Sequence, residues 1–162
     1  MNAIQLCKQL AQSLGDRNWM MATAESCTGG MIAARCTDLA GSSAWFERGF
    51  VTYSNAAKSE LLGIDTDLIS QHGAVSEAVA LAMAMGAVQR SHAHVSLAVT
   101  GVAGPTGGSN EKPVGTVWFA WCIGNRLSSE RLIFSGDRAA IREATTVHAL
   151  QGLLERLVEQ AG

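Results

Sequence analysis

The sequence predicts an α/β fold, a three-layer α/β/α sandwich built around a mixed β-sheet. Helix-like and strand-like segments alternate along most of the 162 residues, which is typical of parallel strands with helices on both faces. The last two strand-like segments are separated by Gly124 and Asn125, which predicts a hairpin and therefore an antiparallel pair. Because a chain of this length buries a sizeable core, we expect residues 1–162 to form a single domain.

The N-terminal part of the chain predicts two helices and two strands. Residues 1–15 form an amphipathic helix, because apolar residues recur there at helical spacing. The apolar run 19–24 indicates a strand, and a helix follows at about 29–38. Residues 46–53 are rich in residues that favour strands and predict a second strand.

The middle of the chain predicts three helices in succession. Residues 55–62 form a short helix that is capped at Ser54 and stopped at Gly63. A second short helix covers 65–71, and a longer one runs from 77 to about 90. The long helix is rich in alanine and methionine, so we expect it to pack closely against the sheet or against another subunit.

The C-terminal part predicts the hairpin and a final helix. A strand at 94–100 is followed by the loop 101–115, which contains five glycines and both prolines of the chain. Residues 116–123 form a bulky strand, and its partner includes 131–134. Asp137 caps a helix that continues almost to the C-terminus.

Composition and charge exclude several classes of function. The net charge is −2 and no basic block occurs, which argues against a nucleic-acid partner. No apolar run approaches the roughly 20 residues that span a membrane, and the first helix lacks the core of a signal peptide. Only 16% of the residues are charged, so we expect a homo-oligomer that buries part of its surface. The four cysteines form no C-x-x-C pair, which is typical of reduced thiols in a cytoplasmic protein.

The segment 23–30, Thr-Ala-Glu-Ser-Cys-Thr-Gly-Gly, is the most informative part of the chain. It places Ser26 on a tight turn between a strand and a helix, and Gly29 and Gly30 let the backbone approach a ligand closely. The N–H groups at the start of the helix are expected to be free. A hydroxyl in that position suits attack on a carbonyl with stabilisation of the oxyanion, and the same geometry also suits a phosphate cradle.

Lys58 is the candidate base for Ser26. It lies near the start of a short helix, where the helix dipole disfavours a cation and so favours the neutral amine. Tyr53, the single tyrosine, lies five residues earlier, where its hydroxyl is placed to relay a proton or orient a substrate. On spacing alone, a solvated lysine and a packing tyrosine remain open alternatives. Cys27 is a rival nucleophile, although a buried thiol more often has a structural role.

Other candidate sites are weaker. The glycines of the loop 101–115 match neither a dinucleotide-binding motif nor a P-loop, so this loop is either functional or a flexible hairpin. The four histidines have no cysteine or carboxylate neighbours at ligand spacing, so no metal site is expected. Arg142 suits a phosphate or carboxylate contact, or a surface ion pair with Glu143 or Asp137.

Taken together, these segments resemble the nicotinamide-nucleotide amidase (PncC) family, which matches the C-terminal domain of the competence/damage-inducible protein CinA. The resemblance covers nearly the whole chain, and its motifs are long and in order. The matching segments are 23–30 (TAESCTGG), 41–55 (GSSAWFERGFVTYSN), Lys58, 72–77 (HGAVSE), 100–105 (TGVAGP) and 112–119 (KPVGTVWF). The length indicates the amidase without the additional N-terminal domain of CinA.

The resemblance implies hydrolysis of nicotinamide mononucleotide to nicotinate mononucleotide and ammonia, in the recycling of pyridine nucleotides, without a metal or cofactor. It implies Ser26 as nucleophile, Lys58 as general base and Tyr53 as a helper. The substrate-binding residues that we assign are Thr100, Arg142, Gly101, Gly29 and Gly30, with Ser43 supporting the site. A non-catalytic nucleotide-binding or regulatory module remains the alternative.

Overall fold

A mixed β-sheet lies at the centre of the computed structural model, which describes residues 1–161. Its strands are β1 (Met21–Glu25), β2 (Phe46–Val51), β3 (Val95–Gly101), β4 (Thr116–Ile123) and β5 (Arg126–Ile133). The helices are α1 (Ala3–Arg17), α2 (Met31–Thr37), α3 (Asn55–Leu62), α4 (Thr66–His72), α5 (Glu77–Gln89) and α6 (Arg138–Ala161). A single turn of 3₁₀-helix covers Ser42–Ala44.

The order of the strands across the sheet is β2-β1-β3-β4-β5. Strand β1 pairs in parallel with β2 and β3, whereas β4 pairs antiparallel with both β3 and β5. The mixed sheet and the α/β class predicted from the sequence are therefore confirmed. All five residues of β1 are buried, as expected for a central strand with helices on both faces of the sheet.

Helices cover both faces of the sheet and enclose two separate cores. Helices α1, α2 and α6 pack on one face, and α3, α4 and α5 lie on the other. Successive side chains of a strand point to opposite faces, so Leu97 and Val99 enter the first core and Ala98 enters the second. Small side chains on the second face let α5 pack closely on β3 and β4, as its composition predicted.

Two of the boundaries that differ from the sequence prediction have a physical reason. Strand β2 ends at Val51 rather than Tyr53, because the chain leaves the sheet to start α3 at Asn55. Strand β5 starts at Arg126, earlier than its apolar residues indicated. It is an edge strand with polar residues, and its pairing with β4 follows from backbone hydrogen bonds rather than from apolar alternation.

The carboxyl ends of three neighbouring parallel strands meet at one edge of the sheet. Ser26 follows β1, Tyr53 comes shortly after β2, and Gly101 ends β3. Open α/β sheets bind ligands in the crevice at this edge. Among residues 1–161, no helix combines the length and apolar character needed to cross a bilayer.

Candidate active site

A cavity of about 310 Å³ opens at the carboxyl edge of the sheet. It brings together segments that are far apart in the sequence: the turn after β1, the start of α3, the segment after α4, the loop after β3 and the start of α6. The residues that line it are Ser26, Cys27, Tyr53, Asn55, Lys58, Ala74, Val75, Thr100, Gly101, Val102, Ala103, Thr106, Gly107 and Arg138. The cavity therefore contains the predicted catalytic residues.

Ser26 and Lys58 form a close pair on the floor of this cavity. The Lys58 Nζ lies 3.1 Å from the Ser26 Oγ. Lys58 is 1% exposed and Ser26 is 8% exposed. The Ser26 N–H donates to the Val99 carbonyl at 3.1 Å, which ties the turn to β3 and fixes the position of the hydroxyl.

The surroundings of Lys58 favour a neutral amine. Burial lowers the pKa of Lys58, because removal from water penalises the charged form. The Nζ also lies 3.0 Å from the Thr52 carbonyl and 3.4 Å from the Tyr53 carbonyl. A neutral amine has two N–H groups for these two carbonyls, which leaves its lone pair for the Ser26 hydroxyl. Burial is the largest cause of this shift.

The turn after β1 corrects one expectation from the sequence. The first N–H groups of α2 are not free, because the Glu25 carboxylate accepts from Ile32 N at 2.9 Å and from Ala33 N at 3.0 Å. Its Oε1 also accepts from the Thr28 hydroxyl. Glu25 is fully buried and caps α2 from a position six residues before the first residue of the helix, Met31. The N–H groups of Ile32 and Ala33 are therefore not available to stabilise an oxyanion.

Gly29 and Gly30 close the turn in backbone conformations that other residues rarely adopt. Their φ angles are 60° and 107°, and the Gly29 N–H donates to the Ser26 carbonyl at 3.0 Å. Both glycines lie beside the cavity rather than in its lining. They allow the chain to reverse within four residues of the nucleophile and enter α2.

Tyr53 and Arg138 form the outer rim of the cavity. The Arg138 guanidinium donates to the Tyr53 hydroxyl at 3.1 Å and to the Gly104 carbonyl at 2.8 Å. Tyr53 is 59% exposed, so its ring faces the cavity mouth while its backbone carbonyl contacts the lysine. The sequence reasoning did not select Arg138, although its position immediately after the capping Asp137 was a usable signal.

Thr100 and Gly101 lie where the sequence predicted them, at the end of β3 in the cavity wall. The Thr100 hydroxyl donates to the Ala74 carbonyl at 2.9 Å. This bond fixes the segment after α4, and with it Val75, against the sheet. Thr100 therefore shapes the wall, and its hydroxyl is already engaged by the protein.

The structure places Arg142 and Ser43 away from the cavity lining. Arg142 donates from Nε to the Cys27 carbonyl at 3.2 Å and from the terminal guanidinium to the Thr28 carbonyl at 2.9 Å. Ser43 is exposed and precedes β2, whereas Ser26 follows the parallel strand β1. Ser43 thus lies at the opposite end of the sheet from the nucleophile turn.

Cys27 is a poor rival for Ser26. Burial raises the pKa of the Cys27 thiol to about 12, so the reactive thiolate is scarce at neutral pH. All four cysteines are buried and free. Within the described part of the chain, no cluster of histidine, cysteine and carboxylate side chains has the arrangement of a metal site.

The mixed sheet, the cavity at its carboxyl edge and the buried serine–lysine pair define an α/β protein with a candidate nucleophilic active site. Residues 3–157 match the family model of the CinA C-terminal domain, and the chain belongs to this family.

Relatives and solved structures agree with that assignment. The chain is 50% identical to the nicotinamide-nucleotide amidohydrolase PncC of Escherichia coli strain K12, over 96% of this chain and 95% of that protein. It is 54% identical to PncC of Pseudomonas putida, over 93% and 94%. The crystal structure of the competence damage-inducible protein A (ComA) of Klebsiella pneumoniae superposes with a TM-score of 0.94 at 37% identity, and the match covers 98% of each chain.

Proposed function

We propose that this protein is a nicotinamide-nucleotide amidohydrolase that releases ammonia from nicotinamide mononucleotide by a serine–lysine mechanism. The observation that carries the proposal is the 3.1 Å contact between Lys58 Nζ and Ser26 Oγ on the floor of the cavity. The relatives that are nicotinamide-nucleotide amidohydrolases supply the reaction and the class of substrate. The product would be nicotinate mononucleotide, in the recycling of pyridine nucleotides.

The first half of the reaction forms an acyl-enzyme. Ser26 Oγ attacks the carboxamide carbon while neutral Lys58 takes the hydroxyl proton, and the carbonyl oxygen becomes an oxyanion. The oxyanion then collapses and the carbon–nitrogen bond breaks. Lys58 gives its proton to the leaving nitrogen, which departs as ammonia and leaves the nicotinoyl group esterified to Ser26.

The second half of the reaction reuses the same base. Lys58 takes a proton from a water molecule, which attacks the ester carbon. The second tetrahedral intermediate collapses, the carbon–Oγ bond breaks, and Lys58 returns the proton to Ser26. The free hydroxyl is restored, and the carboxylic acid product loses its remaining proton to solvent to give the carboxylate. These steps require no metal or cofactor.

The rim offers groups for the rest of the nucleotide. Arg138 brings a cation to the cavity mouth, beside the exposed hydroxyl of Tyr53, and a guanidinium suits a phosphate. The substrate contacts predicted for Thr100, Gly101 and Arg142 remain predictions, as do those for Gly29, Gly30 and Ser43. Arg138 lines the cavity and Arg142 does not, so Arg138 is better placed to meet the phosphate.

A non-catalytic nucleotide-binding module would use the same cavity. A binding module, however, has no need for a lysine that is 1% exposed and faces a hydroxyl at bonding distance. Burying an amine without an ion-pair partner is unfavourable. Burial also favours the neutral amine, however, and the neutral amine is the form that can accept a proton. This burial favours catalysis over binding alone.

The direct test is ammonia release from nicotinamide mononucleotide. We expect the wild type and Ser70→Ala, which changes an exposed serine on α4, to release ammonia at the same rate. Ser26→Ala should release none above background while keeping the fold. Binding of the mononucleotide without ammonia release by the wild type would instead support the non-catalytic module.

We also propose that the protein acts in the cytoplasm as a homo-oligomer. The support is the low charge content of 16% and the four free, buried thiols. Sedimentation velocity at several protein concentrations would test the assembly. A sedimentation coefficient that fits a 17.0 kDa monomer at every concentration would contradict it.

A further inference from the structure

The turn that carries Ser26 is held from one side by Arg142. The guanidinium bridges two successive carbonyls, those of Cys27 and Thr28, from more than a hundred residues away in the sequence. The N–H of the following residue lies in the same peptide plane as each carbonyl and points the opposite way. Fixing the Cys27 carbonyl toward Arg142 therefore turns the Thr28 N–H away from it.

The same turn is held from the other side by Glu25. Its carboxylate accepts from the Thr28 hydroxyl and from the first free N–H groups of α2, those of Ile32 and Ala33. Glu25 is the residue immediately before Ser26 and is fully buried. It joins the end of β1 to the start of α2 and leaves the intervening turn little freedom to move.

These contacts leave two N–H groups next to the nucleophile without an oxygen acceptor. Ser26 N donates to Val99, and Gly29 N donates to the Ser26 carbonyl. In the part of the chain that the structure describes, the N–H groups of Cys27 and Thr28 donate to no carbonyl or side-chain oxygen. Cys27 itself lines the cavity. An oxyanion site requires this arrangement of fixed donors without internal partners.

We propose that Glu25 and Arg142 are positioning residues that clamp the Ser26 turn from both sides, so that the Cys27 and Thr28 N–H groups form the oxyanion site. This inference rests on the proposed function, because it names how that site stabilises its intermediate. The positive charge of Arg142 also polarises the peptide unit that joins the Cys27 carbonyl to the Thr28 N–H, which makes this N–H a stronger donor to a developing anion. Arg142 thus influences the reaction without contacting the substrate.

The test uses phenylmethanesulfonyl fluoride, a probe without a phosphate. Its labelling of Ser26 forms the Oγ–S bond and breaks the S–F bond, so that fluoride leaves and Lys58 takes the proton. Labelling rates by intact mass would be compared for the wild type, Glu25→Gln, Arg142→Met and Arg142→Lys. The matched control is Arg35→Met, which removes an arginine that pairs with Glu143 on the surface. Circular dichroism would establish that each variant is folded.

We expect Glu25→Gln and Arg142→Met to label roughly 10- to 100-fold more slowly, because misplacing a reacting group by about 1 Å has effects of this size. Arg35→Met should label like the wild type. Arg142→Lys should recover part of the rate, since an ammonium reaches one carbonyl but not two. With nicotinamide mononucleotide, kcat should fall in parallel while KM stays within about threefold.

An unchanged labelling rate in folded Arg142→Met would overturn the proposal. If the same variant also has a raised KM for nicotinamide mononucleotide, Arg142 would instead be assigned to the phosphate. If Glu25→Gln does not fold, the labelling rates of the two Arg142 variants alone test the proposal. A wild type that is labelled at Ser26 but releases no ammonia would contradict the proposed function and leave the clamp intact. A wild type that is not labelled would overturn both.

Discussion

The floor and the rim of the cavity differ in how far they are separated from water. On the floor, Lys58 and Ser26 are 1% and 8% exposed, and backbone carbonyls surround the amine. On the rim, Tyr53 is 59% exposed and bonded to Arg138 across the mouth. Electrostatic effects are large in a dry environment and small in a wet one. The difference predicts that the floor determines the rate of the chemical step, whereas the rim determines which nucleotide binds.

The largest effect is expected from changing the amine on the floor. Lys58→Arg keeps a cation of similar length, but arginine stays protonated and cannot accept the Ser26 proton. We expect kcat to fall by roughly 10³-fold or more, because loss of a base that acts as a unit with its nucleophile has effects of that size. Ammonia release would be measured beside Lys8→Arg, which changes an exposed lysine on α1.

One result with these two variants would contradict the role of Lys58 as a base. If Lys58→Arg keeps more than a tenth of the wild-type kcat while Lys8→Arg is normal, an arginine is sufficient at this position. The lysine would then act as a fixed positive charge rather than as a base, and the floor would bind the oxyanion rather than move a proton.

The pH dependence of the reaction follows from the lowered pKa of Lys58. The neutral amine is the active form, so log kcat/KM should rise by about one unit per pH unit below that pKa and level off above it. Because burial lowers the pKa, the plateau should begin below the ordinary lysine value of about 10.4. A profile that still rises with unit slope beyond pH 10 would contradict a lowered pKa.

The lowered pKa of Lys58 also makes the free energy of unfolding depend on pH. Between the folded and unfolded pKa values of Lys58, the unfolded chain binds a proton that the folded chain does not. The contribution of Lys58 to the free energy of unfolding therefore increases as pH rises through this interval and is smallest below it. Urea unfolding of the wild type and Lys58→Met at a series of pH values up to the ordinary lysine pKa of about 10.4 would isolate this contribution.

At the rim, Arg138→Ala should raise KM for nicotinamide mononucleotide by roughly 10- to 100-fold and change kcat less, because it removes a charge-assisted contact to phosphate. Nicotinamide riboside lacks the phosphate, so its already low rate should change little. Arg126→Ala, at the exposed start of β5, is the matched control. Equal losses with both substrates would show that Arg138 supports the structure of the rim through the Gly104 carbonyl instead.

The sequence predicts the floor better than the rim, and the reason is physical. Ser26 lies at a strand–turn–helix junction and Lys58 follows a helix cap, so local patterns reveal both. The bond between Arg138 and Tyr53 joins residues 85 apart in the sequence, and no local pattern encodes it. The cap by Glu25 was also missed, because a carboxylate six residues before the first residue of a helix lies outside the usual capping position.

The boundaries of the helices and strands also differ in how far local sequence determines them. Helix α3 is reproduced from its capping Ser54 and its stop at Gly63, both of which act within a few residues. For strand β5, the sequence indicates only the part at 131–134, because the residues at the start of the strand are polar. Its length depends on a partner strand, and partner strands are a property of the fold rather than of the segment.

The smallest effect is expected at Cys27, which shares the floor with the dyad but lacks its chemistry. Its thiol is 5% exposed and its pKa is raised to about 12, so only about one molecule in 10⁵ carries the thiolate at pH 7. Cys27→Ala keeps the backbone N–H that we assign to the oxyanion site. We expect kcat within about threefold of the wild type and a stability loss of about 1 kcal/mol from the removed sulfur. Ammonia release and urea unfolding would measure the two effects, with Cys122→Ala as a control for loss of a buried thiol elsewhere. Complete loss of activity in folded Cys27→Ala, with Ser26→Ala still active, would reverse the assignment of the nucleophile.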